Sequence, residues 1–515
     1  DPTCSPTRAA LMTGRYSSRT GVWHTIMGRS LLHPEETTLA DLFSRAGYRT
    51  GIFGKWHLGD AYPLRPQDRG FQDVLIHGGG GVGQTPDYWG NDYFDDTYFR
   101  SPFPANGTTG RNGKRKTRVS GYCTDVWFDR ALRFITENKD RPFFCYLPTN
   151  AAHAPFVVPE EYSRPYKEAG IESPRAEFYG MITNLDENVA RLRARLDELG
   201  LAENTILIFT TDNGTAAGAR NGGFNAGMRG TKGSEYDGGH RVPCFVHWPG
   251  GGWTGGRDID RLTAHIDWLP TLVEICGLER PKLKIDGTSL VPLLAVSSGH
   301  SLGAKRQAER TLFVHSQRID FPEKWRKSAV MTDRWRLING KQLYDIQADP
   351  AQQHDIAQKH PQVVAELRTE YDDWWNATSA RFDDYVRITL GSPAANPTHL
   401  TCHDWHAPIA QVPWNQTQIE RDPLANGTWA VEVDRPGRYE ITLRTRPKYV
   451  DHPLSADKAR VKIGDVEAER DVPASATEVT IALELDSGPA MMQTWLESAD
   501  GQSRGAYFVE VRRVE

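Results

Sequence analysis

The sequence predicts an α/β fold, a mostly parallel sheet sandwiched by helices, with a smaller α+β C-terminal subdomain and an extra all-β sandwich-like domain. Three features point there. In the first half, short apolar runs alternate with stretches whose apolar residues recur every three or four positions. From about residue 310 the runs crowd into strand-like segments before one more helix. Beyond residue 428, short alternating segments follow one another with turn signals and no helical stripe. The expected divisions are 1–305, 306–390 and 429–515, with the Pro-, Asn- and Thr-rich stretch 391–428 as a linker.

Taken in order, residues 34–46 read as a helix, with Leu39, Leu42, Phe43 and Ala46 on one face and Gly47 as its stop. A strand at 48–53 follows, then a helix at 124–136 and a strand at 143–147. In the helix at 181–199, Leu185, Val189, Leu192, Leu196 and Leu199 are spaced by four and three, and Gly200 closes it. Strands are expected at 205–210 and 242–247. Apolar strands between helices fit a sheet covered on both faces. Ligands of such sheets bind beyond the carboxyl ends of the strands. Lys55, His57, His153, Asp212 and Asn213 all fall there. Later strands are expected at 312–315, 329–331 and 335–338, and a helix at 361–375. The β region should hold strands at 429–433, 438–443, 460–463, 479–485 and 506–511.

Composition narrows the function classes. The 515 residues are 38% hydrophobic and 25% charged, with a net charge of −5, which argues against disorder and against a nucleic-acid surface. The basic run at 111–116 reads as a solvated loop. Cysteines at 4, 123, 145, 244, 276 and 402 show no zinc spacing and no disulfide framework. Cys145 and Cys244 lie in apolar runs and are expected to be buried thiols. No stretch is apolar enough for a membrane-spanning helix. The opening Asp1-Pro2-Thr3-Cys4, with no Met and no signal peptide, is expected to be an excerpt of a longer protein.

The first motif is Cys4-Ser5-Pro6-Thr7-Arg8. Ser5 suits a helix N-cap and Pro6 a first helical residue. Cys4 would then precede a helix N-terminus, where negative charge is favoured, with Arg8 a turn further on. Taken singly, such residues are commonplace: a lone Cys is usually inert and Asp-Asn-Gly is usually a turn. Their order is what carries information. Cys4 to Arg8 leads into Ala-Ala-Leu-Met-Thr-Gly-Arg-Tyr, and residues 47–59 contain Lys55-Trp56-His57. Pro142-Phe143-Phe144 leads to Ala152-His153-Ala154-Pro155, and 204–214 ends in Asp212-Asn213-Gly214. Gly230-Thr231-Lys232-Gly233, Gly238-Gly239-His240-Arg241, residues 265–271 and residues 343–350 complete the set.

This ordered set resembles the formylglycine-dependent sulfatases, from Cys4 to about Trp375. The resemblance implies the alkaline-phosphatase-like fold and hydrolysis of sulfate monoesters. It implies that Cys4 is oxidised to formylglycine by a formylglycine-generating enzyme. Hydrated formylglycine is a gem-diol: one hydroxyl, deprotonated on a divalent metal, attacks sulfur, and the other expels sulfate by collapse to the aldehyde. Lys55 and Lys232 suit the sulfate oxygens. His153 suits a general acid to the leaving oxygen, and His57 would bond the second hydroxyl and promote its collapse. Arg8 would hold the nucleophile and metal ligands. Asp212 and Asn213, with the oxygen derived from Cys4, would ligate Ca²⁺, with Mg²⁺ as the other hard cation.

Departures from the family pattern are also legible. The family carries a pair of metal-binding aspartates on a strand ahead of the Cys motif, which this sequence does not contain. The polypeptide as written is therefore expected to bind metal poorly and to be nearly inactive. Asp237 stands where the family commonly has Glu. Trp23, His24 and His33 either line the substrate pocket or pack. The β region lies outside the resemblance. Trp414, Trp429 and Trp495 would mark sugar binding if exposed and coplanar, and packing if not.

A sulfated carbohydrate is the preferred substrate class, and periplasmic or extracellular location the expected one. The rivals are a phosphonate or phosphodiester hydrolase of the same superfamily and a catalytically dead glycan-binding protein. Asn106, Asn376, Asn415 and Asn426 head glycosylation sequons, used only in a eukaryotic secretory host.

Overall fold

A computed structural model describes residues 1–101, 116–217, 223–294 and 309–514. The basic residues 111–115 and the sequon at Asn106 lie outside the described residues. The catalytic-side elements are α1 (Cys4–Thr13), α2 (Leu39–Arg45), β1 (Arg49–Lys55), β2 (Asp73–His77), β3 (Thr97–Arg100), β4 (Lys116–Arg118), α3 (Cys123–Glu137) and β5 (Phe143–Tyr146). They continue through α4 (Glu160–Glu168), α5 (Arg175–Glu198), β6 (Leu207–Thr210), α6 (Asp237–His240), β7 (Cys244–His247), α7 (Trp268–Ile275) and α8 (Val291–Leu294).

The main sheet has the order β4-β3-β2-β1-β5. β1 runs parallel to both β2 and β5, while β3 and β4 are antiparallel additions. Side chains alternate along a strand, so neighbours serve opposite faces. Ile52 packs with Leu39, Leu42 and Phe43 of α2, Ala9 and Met12 of α1 and Leu269 of α7. Phe53 packs with Trp127, Ala131 and Phe134 of α3 and with the α5 residues Met181, Leu192 and Leu196. These are the two covered faces expected from the sequence. α2 begins later than expected, because Thr38 and Asp41 close a capping box there.

β6 and β7 depart from the expectation. They pair with each other, antiparallel, and not with the main sheet. Their exposure follows: Cys244 is exposed and Cys145 only half-buried, so neither is the buried thiol expected. Both thiols sit on strands that lack a full complement of neighbours.

The smaller subdomain is the antiparallel sheet β8 (Leu312–His315), β9 (Ser328–Met331), β10 (Trp335–Ile338) and β11 (Gln342–Asp345), in that spatial order. Helix α9 (Pro361–Ser379) covers it through Val364, Leu367, Tyr371 and Trp374 on Val330, Leu337 and Leu343.

The C-terminal sandwich contains β12 (Ile388–Leu390), β13 (Thr398–Thr401), α10 (Gln416–Ile419), β14 (Thr428–Val433), β15 (Gly437–Arg444), β16 (Lys458–Ile463) and β17 (Val466–Asp471). It ends with β18 (Val479–Leu485), β19 (Gly488–Glu497), β20 (Ser503–Arg504) and β21 (Phe508–Arg513). One sheet has the order β12-β14-β19-β16-β17 and the other β13-β21-β15-β18.

The stretch 391–428 is therefore not a linker. β13 pairs with β21, and Leu400, Cys402, Trp405, Val412 and Ile419 are buried in the sandwich core. That core also takes in Ile26, Met27, Leu31, Ala61 and Leu64 from the catalytic side. Trp429 is fully buried, donating from Nε1 to the Thr401 carbonyl at 2.8 Å, so it packs. Arg460 lies 3.9 Å over the Trp495 ring. None of the described helices is long and apolar enough to cross a membrane.

Candidate active site

The centre is built where α1 begins and β1 and β6 end. α1 starts at Cys4, one residue before the expected cap: extended Thr3, at φ −142°, holds the N-cap position. Cys4 is thereby the first helical residue, 3% exposed. Arg8, one turn on, ties the elements together. Its Nε and Nη2 donate to Asp212 Oδ2 at 3.1 and 2.9 Å, and Nη1 donates to the Lys55 carbonyl at 2.8 Å. Two donors of one guanidinium converging on a single carboxylate oxygen fix orientation as well as charge.

β1 delivers Lys55 and His57. Gly54, at φ +132°, allows this: a Cβ there would lie 2.1 Å from the Pro148 carbonyl oxygen, so only glycine lets the ends of β1 and β5 approach. The Lys55 amide then donates to that carbonyl at 2.7 Å. Both Lys55 and His57 are buried. His57 Nε2 donates to the Thr25 carbonyl at 2.8 Å, which leaves Nδ1 as the acceptor nitrogen, without another well-formed partner and beside the Cys4 sulfur. His153 has the complementary arrangement. Its Nδ1 donates to the Ala154 carbonyl at 2.6 Å, and the ring reaches the Cys4 thiol.

Charge is concentrated on Cys4. Burial pushes its thiol up, but Lys232, Lys55 and the hydrogen bonds from His153 and His57 together bring it well below its ordinary value. Burial depresses Lys55, although the Cys4 anion opposes this. Asp212 is held below the usual carboxylate range: burial and Cys4 oppose ionisation, and Arg8, Lys55 and Lys232 outweigh them. His57 is pushed down to about 3, by burial first and Lys55 second, so it is neutral near pH 7. The Cys4 sulfur stands where the oxygens of an oxidised Cys4 would sit, so the site is preset for an anion there.

The residues present fit a hard cation. Asn213 Nδ2 donates to the Gly214 carbonyl at 3.0 Å, and its Oδ1 is buried with no hydrogen-bond partner. A buried acceptor left this way suits a metal. Gly214 packs the turn tightly, since a Cβ there would meet the Gly238 carbonyl oxygen at 1.9 Å. Among the described residues, no three His, Cys, Asp or Glu cluster as a metal site.

Eight of the expected residues thus converge: Cys4, Arg8, Lys55, His57, His153, Asp212, Asn213 and Lys232, all around one cavity of about 1500 Å³. Trp23 and His24 do not. Trp23 is 2% exposed and donates from Nε1 to the Ile319 and Asp320 carbonyls, both at 3.2 Å. His24 has no exposure, and its Nδ1 accepts from the Thr25 amide at 2.7 Å. Both are packing residues here, because the turn 20–29 faces inward.

Other residues at the site were not placed there by the sequence reading, which singled out only Trp414 among them and as a sugar-binding candidate of the β region. Gln84, Asn150, Arg318, Ile409 and Trp414 all line the cavity. The glycine run at 78–81 was a visible signal for Gln84: a Cβ on Gly80 would lie 2.4 Å from His57 Cε1. Arg318, Ile409 and Trp414 sit in no local motif. Their placement comes from long-range packing, such as the Thr85 amide donating to the Trp414 carbonyl at 3.0 Å.

A family model described as sulfatase matches residues 1–278, more than half of the chain. The chain belongs to the sulfatase family. A second model, described as N-sulphoglucosamine sulphohydrolase, C-terminal, matches residues 231–375 of the sulfatase. The sulfatase is 31% identical to the uncharacterized sulfatase YdeN of Escherichia coli over 56% of this chain and 52% of that protein. It is 30% identical to human arylsulfatase A over 68% of each chain. The chain thus spans about half the length of the first relative and about two thirds of the second. In fold it resembles the crystal structure of Ps i-CgsB in complex with k-i-k-neocarrahexaose, at TM-score 0.61 and 23% identity, over 75% of this chain and 85% of that one.

Proposed function

We propose that this sulfatase hydrolyses sulfate monoesters of a carbohydrate, consuming one water to give the alcohol and hydrogen sulfate. The observation that carries the reading is the convergence of two lysines, two histidines, Arg8 and an Asp-Asn pair on buried Cys4. Formylglycine made from Cys4 supplies the nucleophilic oxygen and, by collapse to the aldehyde, releases sulfate. Ca²⁺, or Mg²⁺ in its place, would be held by Asp212, Asn213 and the Cys4-derived oxygen, and neutralises negative charge there.

The other groups act as the geometry allows. Lys55 and Lys232 take sulfate oxygens as point charges, so the anionic ester is not repelled. His153, with Nδ1 committed to Ala154, has Nε2 for protonating the leaving oxygen. His57, neutral and with Nδ1 facing Cys4, takes the proton whose loss lets sulfate go. Arg8 keeps Asp212 ionised and oriented. The carbohydrate class is supported by the oligosaccharide in the Ps i-CgsB complex. Maturation by a formylglycine-generating enzyme and a periplasmic or extracellular site belong to the same reading.

The test is mass spectrometry of the Cys4 peptide after co-expression with a formylglycine-generating enzyme, with turnover of aryl and sugar sulfates, a phosphonate and a phosphodiester. A loss of roughly 18 Da at Cys4 is expected, with turnover highest on a sulfate and abolished in Cys4→Ala. An unmodified Cys4 in an active enzyme would overturn the nucleophile. Preference for the phosphonate or phosphodiester would overturn the substrate class.

A further inference from the structure

We propose that Arg318 recognises a second anionic group, sulfate or carboxylate, on the sugar residue next to the one that loses its sulfate. The inference rests on the reading above and names what the substrate carries beyond the scissile ester.

Arg318 follows β8 in a loop, at φ +46°, a left-handed conformation uncommon for a side-chain-bearing residue. Such a conformation persists when its surroundings over-determine it. They do so here: Gln317 is fully buried, and the carbonyls of Ile319 and Asp320 both accept from Trp23 Nε1. The backbone is pinned while the side chain is exposed. Among the described residues its guanidinium makes no ion pair and no hydrogen bond. It is not remote from the chemistry. Its Nη1 lies 4.0 Å from where a Cβ on Gly233 would be, one residue past Lys232.

Two cavities meet at this side chain. Arg318 and Ile409 line both the active-site cavity and a side pocket of about 320 Å³ that also holds Met27, Asp320 and His406. The carboxylate there is already matched: Asp320 Oδ1 accepts from Arg29 Nε at 2.8 Å and meets His406 Nδ1 at 3.1 Å. Arg318 is left as the uncompensated charge at the junction. A guanidinium offers a planar fork of donors that fits sulfate or carboxylate in two-point contact. Ile409, 49% exposed, and Trp414, 37% exposed, add an apolar wall against which a sugar face can lie. A chain held by its scissile sulfate at Lys55 and Lys232 would therefore present its neighbouring residue to Arg318.

The experiment uses the full-length, formylglycine-bearing, metal-loaded enzyme and a matched pair of oligosaccharides. Both carry the scissile sulfate; one also carries a sulfate or carboxylate on the adjacent residue. An aryl sulfate is the third substrate. Arg318→Gln is expected to raise KM for the doubly anionic member about ten- to a hundredfold more than for its partner, the range for losing a charged hydrogen bond. Arg318→Lys should restore part of the preference, and added salt should erode it in the wild type. Arg318→Gly removes the charge and relieves the backbone, so it should lose the same preference while melting no lower. Equal losses on all three substrates would put Arg318 on the scissile sulfate and overturn the inference. No change in preference would make it a solvent-facing charge and overturn it equally. Should no sulfate ester be turned over, the sulfatase reading itself fails. Calorimetric binding of the matched pair to wild type and Arg318→Gln then still decides Arg318 on the same criterion.

Discussion

His24 shows how burial sets charge in this molecule. It is fully enclosed, and burial first, then Arg318 and His403, push its imidazole down to about 3. Its folded value lies below the unfolded value of about 6.5. It therefore contributes stability at neutral pH that is lost as pH falls from about 6.5 towards 3, because the unfolded chain binds the proton first. Between pH 7 and pH 5 the loss is about 2 kcal/mol for one such group. Unfolding free energies from urea titrations at the two pH values should converge by about that amount in His24→Gln. An unchanged pH dependence would show that His24 is not held neutral. The same logic keeps His57 neutral and able to accept a proton, so a site histidine and a packing histidine share one physical cause.

The edges of two strands decide what the sheet lacks. β5 pairs with β1 on one side, and β6 pairs with β7. Both strands face the same cavity through Phe143, Cys145, Leu207 and Phe209. Unpaired edges facing an apolar space form a template for one further strand. Ca²⁺ is expected to raise the melting temperature of the wild type, and to do so less in Asp212→Asn. Calcium-independent melting of both would sink the ligand assignment. Sequence pattern found β1, β5, α3 and α5 because each carries its own period. It could not find the β6–β7 pairing, since partner choice is not written in either strand. The stretch 391–428 misled because Pro, Asn and Thr outnumber the spaced anchors Leu400, Trp405 and Ile419 that bury it. Likewise the motif residues around Cys4 were legible as an ordered set, whereas Arg318 and Trp414 reach the cavity only through tertiary packing.

At the scale of the whole molecule, the sandwich and the catalytic side share apolar packing. Ile26, Met27, Leu31, Ala61 and Leu64 sit in the same core as Trp405, Trp429 and Tyr439. Gly28 adds a close contact, since a Cβ there would lie 2.3 Å from His406 Nε2. Halves joined this way should unfold together. Calorimetry is expected to give one transition, and removal of residues 391–515 to lower the melting temperature of what remains. Two resolved transitions, with the upper one unaffected by that truncation, would contradict it. The closure of this fold over Cys4 also imposes a timetable. With 3% of the residue exposed, Cys4 is open to a small substrate through the cavity but not to the catalytic groups of a second protein. On the proposed reading, conversion belongs to the stage when the N-terminal segment is still an open peptide, and a chain that folds first keeps an unprocessed side chain.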